Sequence, residues 1–161
     1  MRICTQKDAT ALSLILANND TFDSCGDDGL GKKSIRKSIQ AMLANPSVAV
    51  LIPKNGVIVS FVRQNSIMYE LHTVMTKRCS LNVTERAQSA RDAAQWMIQN
   101  RGARKFIANI PEYNRGARIL AVKVGLSFLG RMEKSFQKKG KLYDLMVFQS
   151  NINDVLSLTG E

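Results

Sequence analysis

The chain has 161 residues, of which 45% are hydrophobic and 22% are charged, and its formal net charge is +10. This balance is typical of one globular domain with a full core, so we expect a single domain over residues 1–161. No apolar run of about 18 residues is present, which excludes a membrane-spanning helix, and the N-terminus lacks the apolar stretch of a secretory signal. The three cysteines are odd in number and match no metal-ligand spacing, so we expect reduced cytosolic thiols and no metal site.

The positive charge is concentrated in one part of the chain. Residues 77–141 contain 15 lysines and arginines against four acidic residues, whereas the remainder contains eight against nine. Such a region attracts polyanions, which include nucleic acid, a phosphate-rich cofactor and an acidic protein surface. The alternative is a solvated basic face. No zinc finger, helix-turn-helix or aromatic-rich RNA motif accompanies the charge, so sequence-specific reading of nucleic acid is not expected.

The N-terminal third predicts a strand and two helices. Residues 2–4 can form a short strand, and Thr5 has capping-box spacing ahead of a helix that reaches about residue 17. Residues 18–31 are rich in Asn, Asp and Gly, so we interpret them as a long loop, and loops of this length are usually functional or mobile. An amphipathic helix follows over residues 32–43.

The middle of the chain predicts an antiparallel meander. Residues 48–52 are almost wholly apolar, which suits a buried strand. The pair Asn55-Gly56 is a hairpin signal, so residues 57–62 form the return strand. A second turn leads into a strand over residues 67–75.

Helices and strands alternate in the second half. Thr84 is the predicted N-cap of the first helix, and Asn114 is the predicted N-cap of a later one that ends at Gly125. The elements in order are a helix over residues 85–99, strand 104–110, the helix between Asn114 and Gly125, strands 126–137 and 142–148, and a polar tail over 150–161 that can hold a short helix. This alternation of helices around a mixed sheet predicts an α/β or α+β fold.

The order of elements, together with the signal Asn114-x-x-Ala117 followed by a helix and a glycine-led apolar pair, resembles the GCN5-related N-acetyltransferases. The resemblance covers most of the chain. It implies a mixed, mostly antiparallel sheet of about seven strands flanked by four helices. It also implies that two strands diverge beside the helix after Asn114, and that acetyl-CoA is the cofactor of acetyl transfer to an amine.

In the family, a turn of the form R/Q-x-x-G-x-G/A holds the pyrophosphate at the start of the third helix. Here Arg86, Ala87, Ser89 and Ala90 match it, or else the looser stretch over residues 77–83. Ala87 and Ser89 stand where glycines are expected, and although both are small, neither adopts a positive φ as readily as glycine. The predicted cap at Thr84 also places them inside the helix.

Three further residues are assigned to the cofactor by the resemblance alone. Val74 and Met75 would offer backbone contacts to the pantetheine arm. Asn114 matches a residue that often contacts the cofactor, although its role as a helix cap explains it without that contact.

Glu70 and His72 are the candidate catalytic residues. Strand alternation places both on one face, about 7 Å apart along the strand. A carboxylate beside an imidazole could deprotonate an amine. The alternative is that the two side chains pair with each other, or with basic residues, and have only a structural role.

The general acid of the family is not found. The resemblance places it as a tyrosine seven residues after the capping Asn114, and that position is Ala121. Tyr113 and Tyr143 are present, but the sequence does not place either of them near a thiolate.

Several short phrases narrow the resemblance. L-A-N-P-x-V, I-M-Y-E-L-H-T, A-A-Q-W-M-I, I-P-E-Y-N-R and G-x-L-Y-D resemble a small group of phage-encoded acetyltransferase-like proteins that act in head assembly or inside the virion. This resemblance implies a location in the host cytoplasm or in the virion. Two hypotheses remain open, with a CoA-binding regulatory module between them. One is an active N-acetyltransferase, and the other is a silent protein of the same fold whose basic region 77–141 contacts DNA or phage structural proteins.

Overall fold

The computed structural model describes residues 1–18, 28, 34–54, 56–76 and 79–157. Within these residues the strands are β1 (Arg2–Ile3), β2 (Val48–Ile52), β3 (Val57–Arg63), β4 (Met68–Met75), β5 (Lys105–Pro111), β6 (Ser127–Lys138) and β7 (Lys141–Asn151). The helices are α1 (Ala9–Ala17), α2 (Ile35–Ala44), α3 (Val83–Arg101), α4 (Arg115–Val124) and α5 (Ile152–Ser157), with a 3-10 turn (Gln6–Asp8) before α1. None of these helices has the length and hydropathy that a membrane crossing requires.

All seven described strands belong to one sheet, in the order β1-β2-β3-β4-β5-β7-β6. Only β4 and β5 pair in parallel, and every other neighbouring pair is antiparallel. A parallel connection needs a crossover, which α3 supplies between β4 and β5. The predicted mixed, mostly antiparallel seven-strand sheet is therefore confirmed, and α5 is a short helix in the predicted tail.

Helices pack on both faces of the sheet. Leu51 and Val59 belong to the cluster that contains Ala93 and Ala94 of α3, whereas Val50 and Ile58 pack with residues of α1 and α2. Successive strand residues point to opposite faces, so the two clusters lie on opposite sides of β2 and β3. The alanines Ala87, Ala90, Ala93 and Ala94 are 0–1% exposed, which lets the α3 backbone approach the sheet closely.

The predicted N-cap of α3 is wrong by two residues. Asn82 is the cap, and its Oδ1 accepts hydrogen bonds from the backbone N–H groups of Thr84 at 2.9 Å and Glu85 at 3.0 Å. Glu85 Oε2 accepts in return from the Asn82 N–H at 2.8 Å. Asn82 is the N-cap because Glu85 completes a reciprocal capping box with it. The residue three positions after Thr84 is Ala87, which has no side-chain acceptor.

Some predicted features lie outside the described residues. These are most of the loop 18–31, the first two residues of the helix predicted over 32–43, Asn55 of the hairpin signal, Lys77 and Arg78 of the stretch before α3, and the last residues of the tail. Asp28 is a described residue within that loop, and it contacts the turn between β6 and β7. Its carboxylate accepts from the backbone N–H groups of Lys139 at 2.7 Å and Gly140 at 2.8 Å. These backbone hydrogen bonds, that of Gly140 first, hold the pKa of Asp28 below its ordinary value of 3.8.

Replacing Asn82 by Ala removes the acceptor of two first-turn N–H groups. We expect the free energy of unfolding, measured by urea titration, to fall by about 1 kcal/mol, and Asn82→Ser to retain most of it. Thr84→Ala is the matched control, since Thr84 is exposed and alanine favours helix. A larger loss for Thr84→Ala than for Asn82→Ala would contradict the observed cap.

The hydrogen bonds that Asp28 accepts from Lys139 and Gly140 predict that the stability of the fold depends on pH. A carboxyl whose folded-state pKa is lowered stabilises the fold above its unfolded pKa, and this contribution disappears as the pH falls through the folded value. We therefore expect Asp28→Asn to be less stable than the parent chain at pH 6, with the difference shrinking below pH 3.8. Urea titrations at a series of pH values measure this. Glu133→Gln, which alters an exposed carboxylate, is the control. A difference that grows on acidification would refute the assignment.

Candidate functional site

The parallel strands β4 and β5 diverge soon after they begin. They pair only at Met68↔Lys105, Tyr69↔Phe106 and Glu70↔Ile107. Beyond Glu70, β4 stays with β3 as far as Met75, and β5 stays with β7 as far as Pro111. The backbone of residues 71–75 therefore has no partner on β5 among the described residues. The predicted divergence of two strands is confirmed.

The gap between the diverging strands β4 and β5 is called the wedge below. A cavity of about 300 Å³ lies in it. Residues 70–74 of β4 and 108–111 of β5 form two of its walls. The third wall is the face of α4 that carries Ala117 and Ala121, with Asn114 at the start of that helix. Most of the lining is apolar, so the cavity suits a hydrocarbon chain interrupted by a few polar groups.

Glu70 and His72 lie together on one face of β4, as the strand period predicts. His72 Nε2 is 3.4 Å from Glu70 Oε1, and both residues line the cavity. The side chain of Glu70 is 18% exposed and that of His72 is 46% exposed. The pair is thus a fixed carboxylate beside an accessible imidazole.

Two amides hold the Glu70 carboxylate. Asn109 Nδ2 donates to Glu70 Oε1 at 3.0 Å, and Gln64 Nε2 donates to Glu70 Oε2 at 3.3 Å. Sequence reasoning missed both residues. The available signal was Asn109 itself, a polar residue with an apolar neighbour on each side in β5, since a polar side chain in such a place needs a hydrogen-bond partner.

Of the three residues that the resemblance alone assigns to the cofactor, two line the cavity and one does not. Val74 lines the cavity, whereas Met75 packs against the core cluster under α3. Asn114 lines the cavity and also caps α4, because its Oδ1 accepts from the Ala117 N–H at 3.1 Å. Its predicted role as an N-cap is confirmed, as is the end of α4 at Gly125, which has φ +103°.

The stretch from Arg86 to Ala90 is helix and not a turn. Ala87, Ser89 and Ala90 are 0–1% exposed within α3, and backbone N–H groups beyond the first turn bond within the helix. The Arg86 side chain turns back, and its Nε donates to the Leu81 carbonyl at 2.7 Å. The helix predicted over residues 85–99 is therefore confirmed at this place, and Arg86–Ala90 do not form the turn that the resemblance implied. The alternative stretch, residues 77–83, is the one that leads into α3.

The β2–β3 hairpin braces the segment between β4 and α3. The Thr76 N–H donates to the Gly56 carbonyl at 2.8 Å, and the Cys79 N–H donates to the Thr76 carbonyl at 3.0 Å. Gly56 has φ +86°, and a Cβ there would lie 2.9 Å from Cys79 Cα. This position therefore favours glycine for its conformation and for its close approach.

Among the described lining residues, only Glu70 and His72 have ionisable side chains. Ala121 lines the cavity where the family resemblance expected an acid. Tyr113 and Tyr143 do not line it, and their rings pack together with centroids 4.8 Å apart. The site thus contains a candidate base without a candidate acid from α4.

No protein-family profile and no curated protein sequence matches the chain. Solved structures do match. A spermidine N-acetyltransferase from Vibrio cholerae, in complex with CoA and spermine, has a TM-score of 0.78 at 12% identity, over 96% of each chain. An acetyltransferase of the same GCN5-related family from Streptococcus pneumoniae has a TM-score of 0.69 at 20% identity, over 94% of this chain and 98% of that chain.

A third structure, the ribosomal-protein-S5-alanine acetyltransferase from Vibrio fischeri, has a TM-score of 0.72 at 13% identity, over 95% of this chain and 92% of that chain. At such low identities, shared architecture over nearly the full length establishes the fold and leaves the activity to the site itself. The chain has the fold of the GCN5-related N-acetyltransferases.

Proposed function

We propose that this protein binds acetyl-CoA in the wedge between β4 and β5 and transfers the acetyl group to an amine. The observation that carries the proposal is the cavity at the divergence of these strands, with Glu70 and His72 in its wall. The spermidine N-acetyltransferase with this architecture was solved in complex with CoA, which supports the choice of cofactor.

The wedge fits the pantetheine arm of the cofactor. Backbone groups of residues 71–75 lie on the edge of β4 that is not paired with β5. They can form hydrogen bonds with the amide groups of an extended ligand, as they would with a neighbouring strand. The side chains of Ala117 and Ala121 line the wedge on the α4 side, opposite these backbone groups. Bound there, acetyl-CoA would supply the activated thioester.

The phosphate end would lie toward the start of α3. A helix N-terminus favours anions, although Asn82 already accepts from two of its N–H groups. Lys77 and Arg78 precede this helix in the sequence, and their charge favours phosphates. We therefore propose that Lys77 and Arg78, and not Arg86–Ala90, attract the pyrophosphate.

Glu70 and His72 would take the proton of the attacking amine. Asn109 and Gln64 orient the carboxylate, and the more exposed imidazole can meet the acceptor and pass its proton to Glu70. Ala121 cannot donate a proton, so any proton for the departing sulfur would come from solvent.

Calorimetry with acetyl-CoA tests the binding step. We expect a low-micromolar dissociation constant for the parent chain, and an affinity at least roughly tenfold weaker for Ala121→Phe, because the larger side chain fills the wedge. Val122→Phe is the matched control, since Val122 is the next residue, is 60% exposed and does not line the cavity. The absence of binding to the parent chain, or equal weakening by both variants, would contradict the proposal.

Release of free CoA thiol in the presence of amines tests the chemical step. With spermidine and an alanine-terminated peptide as trial acceptors, we expect Glu70→Gln to lower kcat/KM by about 10²–10⁴-fold, the usual effect of losing a general base. Affinity for acetyl-CoA should stay unchanged, and the exposed Glu133→Gln should behave as the parent chain. Undiminished turnover in Glu70→Gln would exclude Glu70 as the base.

A second candidate is a phage head-assembly or virion factor that keeps the fold without turnover. Ala121 in place of an acid and the helical stretch from Arg86 to Ala90 favour it. In this proposal the basic region 77–141 contacts DNA or a phage structural protein, in the host cytoplasm or in the virion. Trial amines that all fail to accept acetyl, together with retained CoA binding, would favour this candidate or a CoA-binding regulator.

Fluorescence anisotropy with a short duplex of arbitrary sequence tests the DNA contact. Neutralised phosphates release counterions, so log K should fall linearly with log salt, by about 0.9 per contact. We expect Arg115→Gln to reduce this slope by about one contact and the equally exposed Arg36→Gln, outside the basic region, to leave it unchanged. A slope near zero, or equal effects of both variants, would refute a role of this region in DNA binding.

A further inference from the structure

The edge strand β6 contains a bulge next to the wedge. Its pairing with β7 shifts between Met132↔Leu145 and Phe136↔Tyr143, so three residues of β6 stand opposite Asp144 alone. Lys134, in the middle of these three, has φ +46°. Bulges bend a strand and redirect its side chains. Phe136 thereby lines the cavity, although β7 lies between β6 and β5.

Asp144 fixes the bulge from the facing strand. Its Oδ1 accepts from the Lys134 N–H at 2.9 Å, and its Oδ2 is 3.3 Å from Arg131 Nε. The backbone carbonyl of Asp144 also accepts from the Glu112 N–H, just after β5, at 2.9 Å. One residue thus connects the bulge with the end of the strand that forms a wall of the wedge. Lys134 is not a glycine, so its left-handed conformation depends on this hydrogen bond.

The side chain of Phe136 packs against the ring of Tyr113. The Tyr113 ring lies 6.1 Å from that of Phe136 and 4.8 Å from that of Tyr143, measured between centroids. Leu145 of β7 also lines the cavity. Packed rings of this kind form a stiff apolar wall.

The cavity lining has polar residues on β4 and β5 and an apolar part contributed by β6 and β7. Glu70, His72 and Asn109 are polar and suit the acceptor amine, whereas Phe136 and Leu145 are apolar. Burial of each methylene group is favourable in an apolar environment, so the apolar part suits the acyl chain. A fixed phenyl ring limits how long that chain can be.

We propose that Phe136 restricts the site to short acyl groups such as acetyl and propionyl, and that Asp144 is a positioning residue that acts on it through the bulge. This inference rests on the proposed function, because it concerns the acyl group of the CoA thioester. It adds the class of acyl donor and the residues that select it.

Calorimetry of the full chain with acetyl-CoA and hexanoyl-CoA tests the role of Phe136. We expect the parent chain to bind hexanoyl-CoA at least roughly tenfold more weakly than acetyl-CoA, and Phe136→Ala to abolish that difference. Phe128→Ala is the matched control, since Phe128 lies on the same strand, is 55% exposed, packs on Phe148 and does not line the cavity. It should keep the preference of the parent chain.

The same measurement on Asp144 variants tests positioning. Asp144→Ala should relax the preference although Phe136 is unchanged, whereas Asp144→Asn should retain it, because the amide oxygen can still accept from the Lys134 N–H. Adding Lys134→Gly to Asp144→Ala should restore the preference, since glycine adopts a positive φ without help. Glu133→Gln, which alters only the exposed pair with Arg131, should have no effect. Thermal unfolding verifies that each variant is folded.

The outcomes separate the two proposals. No binding of either thioester by the folded parent chain would overturn the proposed function and this inference together. Binding of acetyl-CoA with the same chain-length preference in Phe136→Ala and Phe128→Ala would overturn the inference alone. A shifted preference in Phe136→Ala but not in Asp144→Ala would overturn the positioning role of Asp144.

Discussion

The divergence of β4 and β5 is the constraint on which the site depends. Each strand pairs at seven positions with its antiparallel neighbour, β4 with β3 and β5 with β7, but the two share only three pairs with each other. Among the described strands, β4 and β5 form the only parallel junction, and it is there that the pairing of the sheet ends early. Every ladder hydrogen bond given up there leaves polar backbone groups that require other partners. An extended, amide-bearing ligand can provide those partners, so the break in the sheet is the structural basis of the proposed cofactor binding.

Features that depend on local periodicity could be predicted from the sequence. The strand period alone places Glu70 and His72 on one face, whatever packs around them, and the structure has their side chains 3.4 Å apart. The cap at Asn114 and the helix end at Gly125 involve residues within a few positions of each other, so the order of residues is sufficient. The same reasoning predicts the antiparallel meander of β2, β3 and β4.

Features that depend on contacts between distant segments could not be predicted in this way. Asn109 orients Glu70 from 39 positions away, and Asp144 holds Lys134 from ten positions away across a strand pair. A lysine in the left-handed region carries no glycine signal, so the sequence gives no sign of the bulge or of Phe136 in the wedge. The cap at Asn82 was within reach of local reasoning, but it required comparing two overlapping capping boxes, of which only the one with Glu85 is complete.

The absence of an acid on α4 and the size of the cavity have the same cause. Ala121 lines the wedge and is 6% exposed, so a tyrosine at this position would enter the space that now belongs to the cavity of about 300 Å³. The small side chain thus removes a proton donor and at the same time leaves room for a ligand. A protein that only binds the cofactor loses nothing by this exchange. A protein that turns it over must protonate the departing sulfur from solvent, and the open wedge gives water that access. An active transferase and a CoA-binding regulator would therefore use the same wedge and would differ in whether a chemical step follows binding, because the Glu70–His72 pair is useful only where an amine arrives.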